Sequence, residues 1–170
     1  MMMDVVRALR LDLLIKLVIA VLLGGIIGFE RELAGKPAGL RTNILICVGA
    51  TLLMDMSIRI GMVNGVRIGD PGRIAAQIVS GVGFLGAGTI MHSQGIVTGL
   101  TSAATIWVVA AIGIISGAGY PILAFVASCM VVLTLVVLRE VEARFLDPSI
   151  TDDASEPHHE VKQIDTGNRK

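Results

Sequence analysis

The sequence predicts an all-α protein, a polytopic transmembrane helical bundle of about five spans followed by a disordered polar tail. Of the 170 residues, 54% are hydrophobic and only 16% are charged, whereas about a quarter of the residues in a soluble domain carry a charge. The mean hydropathy is +0.78, and the apolar residues form runs that approach the roughly 20 residues needed to cross about 30 Å of hydrocarbon. Segments rich in glycine, proline and charge separate these runs, as expected of loops between membrane helices.

These apolar runs and breaks give the boundaries of the predicted elements. The first run is longer than a signal-peptide core and lacks a small-x-small cleavage site after it, so it is expected to be a retained helix. The fourth run has a short apolar core and is expected to be tilted or partly re-entrant. The predicted spans are 13–29, 40–58, 74–91, 101–115 and 122–138. They form a membrane domain over 1–146, and the polar composition of 147–170 predicts a disordered tail.

Composition and motifs argue against several classes of function. The formal net charge is zero, which provides no basic surface for nucleic acid. Cys47 and Cys129 both lie within apolar runs, so they are expected to be small core residues and not a disulfide or a metal pair. The histidines of the tail motif EPHHE have no fixed geometry for a metal. The sequence therefore predicts no catalytic residue, no cofactor site and no metal site, and it predicts that the chain is not an enzyme.

A charged, glycine-punctuated segment follows the first apolar run. An isolated charge at the bilayer centre costs about 2.5 to 3.5 kcal/mol on insertion scales, but at a helix end the cost is smaller and ion pairing reduces it further. One interpretation is an interfacial ion-pair cluster that locks the first hairpin; the other is an ion-sensing or partner-docking site. Residue chemistry alone favours the first. The candidate residues of this region are Glu30, Arg31, Glu32, Arg41, Thr42 and Asn43.

The third predicted helix carries a more directional polar pattern. Its candidate residues Arg73, Gln77 and Ser80 fall, with Phe84, within a narrow arc at 3.6 residues per turn. This arc is expected to face the bundle or a water-filled cleft and not lipid. Small residues let membrane helices approach closely, and we expect tight packing at most of the helical glycines. These are glycines 24, 28, 81, 83, 86, 88, 113 and 117.

The fourth helix begins with hydroxyl side chains. Thr98, Ser102 and Thr105 share one face, with Thr101 beside them. Hydroxyls in membrane helices often bond to their own backbone. Alternatively, this row forms a polar seam with Gln77 and Ser80 of the third helix.

The second helix has polar side chains at every fourth position. Asn43, Cys47, Thr51 and Asp55 drift gradually round the helix. A buried Asp55 would be expensive, and its place near the helix end is expected to let it reach water. Asp55 is accordingly a candidate functional residue.

Three stretches of the sequence resemble the signatures of one family of membrane proteins. They read GFERELAGKPAGLRTNIL, GRIAAQIVSGVGFLGAGTIM and GLTSAATIWVVAAIG. In this order they resemble the MgtC/SapB family of bacterial inner-membrane proteins over roughly 13–139. The motif residues shared with the family are Glu30, Arg31, Gly39, Leu40, Arg41, Thr42, Arg73, Gln77, Gly81, Phe84, Gly86, Gly88, Ala103 and Thr105.

The resemblance implies a location, an orientation and a set of partners. It implies a multi-pass protein of the bacterial inner membrane with a cytoplasmic C-terminus and first loop, which the nearly even distribution of Lys and Arg does not decide. It also implies a link to adaptation to low magnesium and to virulence, through restraint of the F-type ATP synthase or engagement of other membrane proteins. Virulence-type members have a soluble C-terminal domain and tend to have Asn where this chain has Thr101, which favours a shorter, general branch.

Two functional hypotheses follow from the residues and the resemblance. The first is a regulator without catalytic activity that docks on a membrane-protein partner during magnesium limitation or related stress. The alternative is a transporter or channel for a small ion, Mg²⁺ or H⁺, with Asp55, Gln77 and the threonine row as its path. Five spans would make such a path only in an oligomer. The lipid bilayer, a membrane-protein partner and a second copy of the chain are thus the expected partners.

Overall fold

The computed structural model describes residues 2–63, 66–93 and 96–145, so the tail predicted over 147–170 lies outside the described residues. Helices dominate the described part of the chain, which confirms the all-α prediction. They are α1 (Met2–Leu33), α2 (Leu40–Ile60), α3 (Gly72–Ala87), α4 (Leu100–Gly117) and α5 (Pro121–Phe145). Two short antiparallel hairpins precede α3 and α4, and they are formed by β1 (Met62–Val63) with β2 (Val66–Arg67) and by β3 (Met91–Ser93) with β4 (Ile96–Thr98).

Four of these helices are long and apolar enough to cross a membrane. They are the segments Leu11–Leu33, Leu40–Ile60, Leu100–Gly117 and Pro121–Phe145. Helix α3 has 16 residues and, at 1.5 Å per residue, is about 24 Å long, which is shorter than the hydrocarbon layer. The predicted third span continued to Met91, but α3 ends at Ala87, where the Thr89 hydroxyl donates 2.8 Å to the Gly86 carbonyl and the chain turns into β3. The shortened helix is therefore α3 and not α4.

Helix α1 packs against α2 through two glycines. A β-carbon on Gly24 would lie 2.7 Å from the carbonyl oxygen of Asn43, and one on Gly28 would lie 2.8 Å from the Leu40 Cα. Side-chain atoms do not fit at such distances, so glycine is what allows the two backbones to approach. The later glycine contacts the earlier residue of α2, which shows that α1 and α2 are antiparallel.

Helix α4 also packs on α2 through two glycines. A β-carbon on Gly113 or Gly117 would lie 2.5 Å from the carbonyl oxygen of Cys47 or Thr51, respectively. The later residue of α4 contacts the later residue of α2, so α4 runs parallel to α2. The prediction of tight glycine packing is confirmed at these four positions. Gly86 makes only an ordinary contact with α4, and the prediction is wrong for Gly81 and Gly83, where an added β-carbon would meet no atom within 4 Å.

Helix α2 is consequently the centre of the bundle, and its polar row is buried. Asn43, Cys47 and Thr51 are fully buried, and Asp55 is 2% exposed. Thr51 donates a hydrogen bond of 2.9 Å to the Gly113 carbonyl oxygen. The spacing of four residues between these polar side chains therefore marks the ridge of α2 that the other helices cover.

Removal of the Thr51 hydroxyl should weaken the contact between α2 and α4 modestly. We expect Thr51→Val to lower stability by about 1 kcal/mol, because interhelical hydrogen bonds in membranes contribute about 0.6 to 2 kcal/mol. Thr134→Val is the matched control, since the exposed Thr134 donates only to Met130 of its own helix. The fraction of protein that stays monodisperse in detergent after heating checks both variants, and an equal loss in the two would contradict this assignment.

The antiparallel pairing also decides which segments lie together. The loop of residues 34–39 joins α1 to α2, and α4 begins beside the start of α2 because the two helices are parallel. Gly86, at the end of α3, contacts Ala103 near the start of α4. We call this side of the bundle the loop end, and the side where α2 and α4 finish the far end.

The outer surface of the bundle is mostly apolar. Large hydrophobic side chains along α5 are exposed, among them Ile122 at 80% and Leu133 at 57%. Soluble monomers rarely expose contiguous apolar patches larger than a few hundred Å². This surface is suited to lipid.

Candidate functional site

A buried ion pair lies at the loop end of α1. Glu30 and Arg31 are helical, 9% and 3% exposed, and the Arg31 Nε donates to a Glu30 carboxylate oxygen at 2.5 Å. The predicted first span ended at Phe29, but α1 continues to Leu33, which places both charges inside the bundle. Arg139 of α5 lies 3.7 Å from the second Glu30 oxygen. The cluster therefore joins α1 to α5 and is not a solvated part of the loop.

Two other predicted residues hold the first loop in place. A carboxylate oxygen of Glu32 accepts a hydrogen bond of 2.7 Å from the backbone N–H of Leu40, one of the free donors at the start of α2. The Asn43 side-chain amide donates to the carbonyl oxygens of Ala38 and Gly39 at 2.5 and 2.9 Å. Ala38 has a φ of 60°, a left-handed conformation that these bonds stabilise. Glu32 and Asn43 thus position the loop.

The remaining residues of the predicted cluster point outward. Arg41 and Thr42 are exposed in the first turn of α2, and Lys36 is exposed in the loop. Within the described part of the chain, Arg41 forms neither an ion pair nor a side-chain hydrogen bond. The sequence cluster is therefore divided between a buried clasp and an exposed cationic surface, which we call the loop surface and define by Lys36, Arg41 and Thr42.

A second charged cluster lies at the far end. Asp55 is 2% exposed and accepts from Lys16 at 2.8 Å and from Arg59. Asp12 extends the cluster, since it lies 3.1 Å from Lys16 and 3.0 Å from Arg59. The expectation that Asp55 reaches water is wrong, because the start of α1 covers it with a cation. Two acids and two bases neutralise one another here and join α1 to α2 at the far end of the bundle.

The polar arc of α3 does not face the interior of the bundle. Arg73, Gln77 and Ser80 are all exposed, and Phe84 is 82% exposed. The buried face of α3 is the opposite one, formed by an aliphatic stripe that packs towards the bundle: Ile78, Val82 and Gly86. Burial of the polar arc would take Arg73 and Gln77 out of water and require a hydrogen-bond partner for each, whereas the apolar stripe has no polar side chain to satisfy, which accounts for the orientation. The expectation that this arc faces the bundle is wrong for the single chain, and its alternative, a water-filled cleft, stays a prediction.

The hydroxyl row of α4 is divided as well. Ser102 and Thr105 are buried, whereas Thr101 is exposed and Thr98 belongs to β4, ahead of the helix. The Thr105 hydroxyl donates a hydrogen bond of 2.8 Å to the Thr101 carbonyl oxygen of its own helix. This is the first of the two alternatives, in which a hydroxyl bonds to its own backbone. Because Gln77 is exposed, the row forms no hydrogen-bonded seam with it among the described residues.

The sequence interpretation omitted several members of these clusters. Asp12, Lys16 and Arg59 were not proposed as partners of Asp55, and Arg139 was not proposed as a neighbour of Glu30. The sequence does contain a pattern that indicates these ion pairs. Asp12 with Lys16 and Asp55 with Arg59 are each spaced by four residues, as the members of an ion pair on one helix are. An antiparallel hairpin then brings the start of α1 beside the end of α2. Within the described residues, no group of three or more His, Cys, Asp or Glu is arranged to hold a metal ion.

Several curated proteins are similar to this chain in sequence. The chain is 42% identical over 140 residues to "Putative magnesium transporter YhiD" of Escherichia coli (strain K12), which covers 80% of the chain and 65% of that protein. It is 48% identical over 120 residues to "Protein MgtC" of Brucella abortus (strain 2308), covering 71% of the chain and 48% of the relative. It is 40% identical over 148 residues to "Protein MgtC" of Salmonella paratyphi A, covering 87% of the chain and 62% of the relative. None of these three names describes an enzyme.

The chain spans roughly half to two thirds of the length of these curated relatives. No solved structure matches it. The model of the MgtC family matches residues 17–144, which include α2, α3, α4 and most of α1 and α5. Together with four helices of membrane-spanning length, this match makes the protein a multi-pass membrane protein. The chain belongs to the MgtC family.

Proposed function

We propose that this protein is a non-catalytic component of the bacterial inner membrane that docks on another membrane protein and regulates it during magnesium limitation or related stress. The observation that carries the proposal is the loop surface. Lys36 is exposed in the first loop and Arg41 and Thr42 are exposed in the first turn of α2, while Glu32 and Asn43 hold the backbone of the loop between them. An exposed cation on a fixed backbone costs little to order when it binds an acidic partner surface.

The packing of the interior supports docking as the activity of a single chain. The contacts of Gly24 with Asn43 and of Gly113 with Cys47 leave the backbones of α1 and α4 in direct contact with α2. The charge on Asp55 is already neutralised by Lys16 and Arg59. A cation entering this seam would have to displace protein cations and separate packed backbones.

The orientation and partner belong to the same proposal. We place the loop surface and the C-terminal end of α5 on the cytoplasmic side, and the N-terminus outside, as the family resemblance implies. The partner that the resemblance implies is the F-type ATP synthase or another inner-membrane complex. An acidic cytoplasmic surface on such a complex would complement Arg41 and Lys36.

A transporter that works as an oligomer is the second candidate. Two observations favour it: the name of YhiD, which is 42% identical, and the exposed polar arc of Arg73, Gln77 and Ser80 on α3. In an oligomer this arc would line a space between chains. Ion flux separates the two candidates, as described in the Discussion.

Site-specific crosslinking in living cells tests the docking proposal. A photo-crosslinking residue at position 33, which is 71% exposed at the end of α1 and leaves Lys36 and Arg41 in place, should capture one specific membrane complex. Arg41→Ala should reduce the capture by about tenfold or more, the effect of losing a hot-spot arginine. Arg144→Ala is the matched control, because Arg144 is an exposed cation in the last turn of α5, paired only with Glu140 of its own helix in the described part of the chain. Capture that is equally strong in both variants, or spread over many proteins, would contradict docking through the loop surface.

A further inference from the structure

The exposed face of α3 lies opposite its buried face. Ile78 and Val82 are 7% and 8% exposed, whereas Gln77 and Ser80 are exposed and Phe84 is 82% exposed. One helix thus presents an apolar stripe to its own bundle, while Gln77 and Ser80 lie outward among the exposed side chains of Val79, Phe84 and Leu85. Polar groups such as the Gln77 amide are unfavourable where lipid surrounds a helix.

The depth of Gln77 makes this arrangement costly in a lipid-surrounded monomer. Gln77 lies one turn beyond Arg73, so it is about 6 Å farther along the helix, and Ser80 lies about 10 Å beyond Arg73. A side-chain amide moved into hydrocarbon without a hydrogen-bond partner costs roughly 2 to 7 kcal/mol. The face therefore favours a protein neighbour that offers both donors and acceptors.

A groove lies beside this face. It has a volume of about 520 Å³ and runs between α2 and α3, with Gly49 and Leu53 on one wall and Gly81 and Leu85 on the other. Gln77 is the polar residue of its lining. A β-carbon on Gly81 would meet no atom within 4 Å, so the wall is open to a neighbour.

We propose that a second copy of this chain covers the polar face of α3 and that the protein forms a two-fold symmetric dimer. Copies inserted in the same orientation are related by an axis along the membrane normal, so each residue meets its own counterpart at the same depth. Gln77 suits this symmetry because its amide both donates and accepts, and two glutamines satisfy one another.

Charge and shape at the same face are also self-complementary. Asp70 and Arg73 are exposed, opposite in sign and three residues apart at the start of α3. Asp70 of one copy can therefore pair with Arg73 of the second copy across the axis. Phe84 lies at the depth of the groove wall, between Gly81 and Leu85, and the same symmetry places the second copy's Phe84 at that depth. These contacts lie outside the loop surface, so the dimer goes beyond the proposed function and does not depend on it.

Disulfide crosslinking tests the dimer in native membranes. Cys129 is exposed and Cys47 is buried, so the parent chain carries Cys129→Ala and keeps Cys47. Ser80→Cys in this background should form a dimer on mild oxidation, because the two thiols face each other across the axis. Leu133→Cys on α5 is the control, since it is 57% exposed and outside the proposed contact, and it should stay monomeric.

Two glycine replacements then separate a specific contact from random collision. A β-carbon added to Gly81 or to Gly83 would meet no atom within 4 Å, and both glycines are exposed, so leucine at either position leaves the fold of the single chain intact. At 3.6 residues per turn, Gly81 and Gly83 flank the polar arc on its two sides. Leucine at either position should reduce Ser80→Cys crosslinking by about tenfold, the equivalent of about 1.4 kcal/mol. Val126→Leu is the control, because Val126 is 50% exposed on α5 and outside the proposed contact, and it should leave the crosslinking unchanged.

Three outcomes would overturn the proposal. They are equal crosslinking from Ser80→Cys and Leu133→Cys, equal sensitivity to leucine at positions 81 and 126, and a monomeric protein that carries a bound phospholipid displaced by Gly81→Leu. Native mass spectrometry of the purified protein distinguishes the last outcome, because it reports the number of chains and of bound lipids together.

Discussion

Gly24→Ala is expected to destabilise the protein although alanine is the better helix former. The new β-carbon would lie 2.7 Å from the Asn43 carbonyl oxygen and 2.9 Å from the Cys47 Cβ, so α1 and α2 would have to separate. Overpacking of this kind costs about 1 to 3 kcal/mol, and it opposes a gain in helix propensity of about 0.5 to 1 kcal/mol. Gly113→Ala should behave in the same way, because its β-carbon would lie 2.5 Å from the Cys47 carbonyl oxygen.

Gly25→Ala is the matched control for this prediction. The nearest atom to its β-carbon would be the Ile44 Cδ1 at 3.8 Å, an ordinary contact, so only the gain in helix propensity remains. We expect Gly25→Ala to raise the midpoint of thermal aggregation in detergent slightly, and Gly24→Ala to lower it by several degrees or to abolish folding. Equal midpoints for the two variants would show that α1 does not pack on α2 in this register.

Asp55→Asn is expected to have the second large effect. Lys16 and Arg59 would keep their charges within the bundle and lose the carboxylate that both of them contact. Breaking a buried pair costs about 3 to 5 kcal/mol, and we expect the lower end because Asp12 remains near both cations. The amount of protein in the membrane and its heat resistance in detergent should both fall.

A double-mutant cycle identifies the cause of that effect. In the Lys16→Met background, Asp55→Asn should cost less than in the natural chain, because one of the two unpaired cations is absent. Asp12→Asn should cost about 1 kcal/mol or less, since the Asp12 side chain is 53% exposed. Additive losses for Lys16→Met and Asp55→Asn would contradict a direct ion pair between these residues.

The composition and the glycine spacing predicted most of the fold. Apolar runs of nearly 20 residues require membrane helices, and the spacing of Gly24 with Gly28 and of Gly113 with Gly117 marks the faces that approach α2. The row of Asn43, Thr51 and Asp55 was also visible as a pattern. These features are local, so a single helix carries all the information needed to see them.

The functional clusters were predicted less well, because they depend on contacts between helices. The sequence placed Glu30 and Asp55 at helix ends near water, but the rotation of α1 buries both. That rotation also pairs Asp55 with Lys16, which lies 39 positions earlier in the chain. For α3 the pattern identified the polar arc correctly, but a period of 3.6 residues does not say whether an arc faces its own bundle or another chain.

Ion flux through the purified protein in proteoliposomes tests the central claim most directly. The protein is reconstituted alone, with a magnesium channel in parallel as the positive control, and entry of Mg²⁺ and H⁺ is followed with fluorescent indicators inside the vesicles. A docking regulator predicts fluxes equal to those of protein-free vesicles, in the natural chain as in Arg41→Ala. Saturable flux that requires the protein and is lost in a folded Gln77→Leu variant would contradict the regulator and establish the transporter.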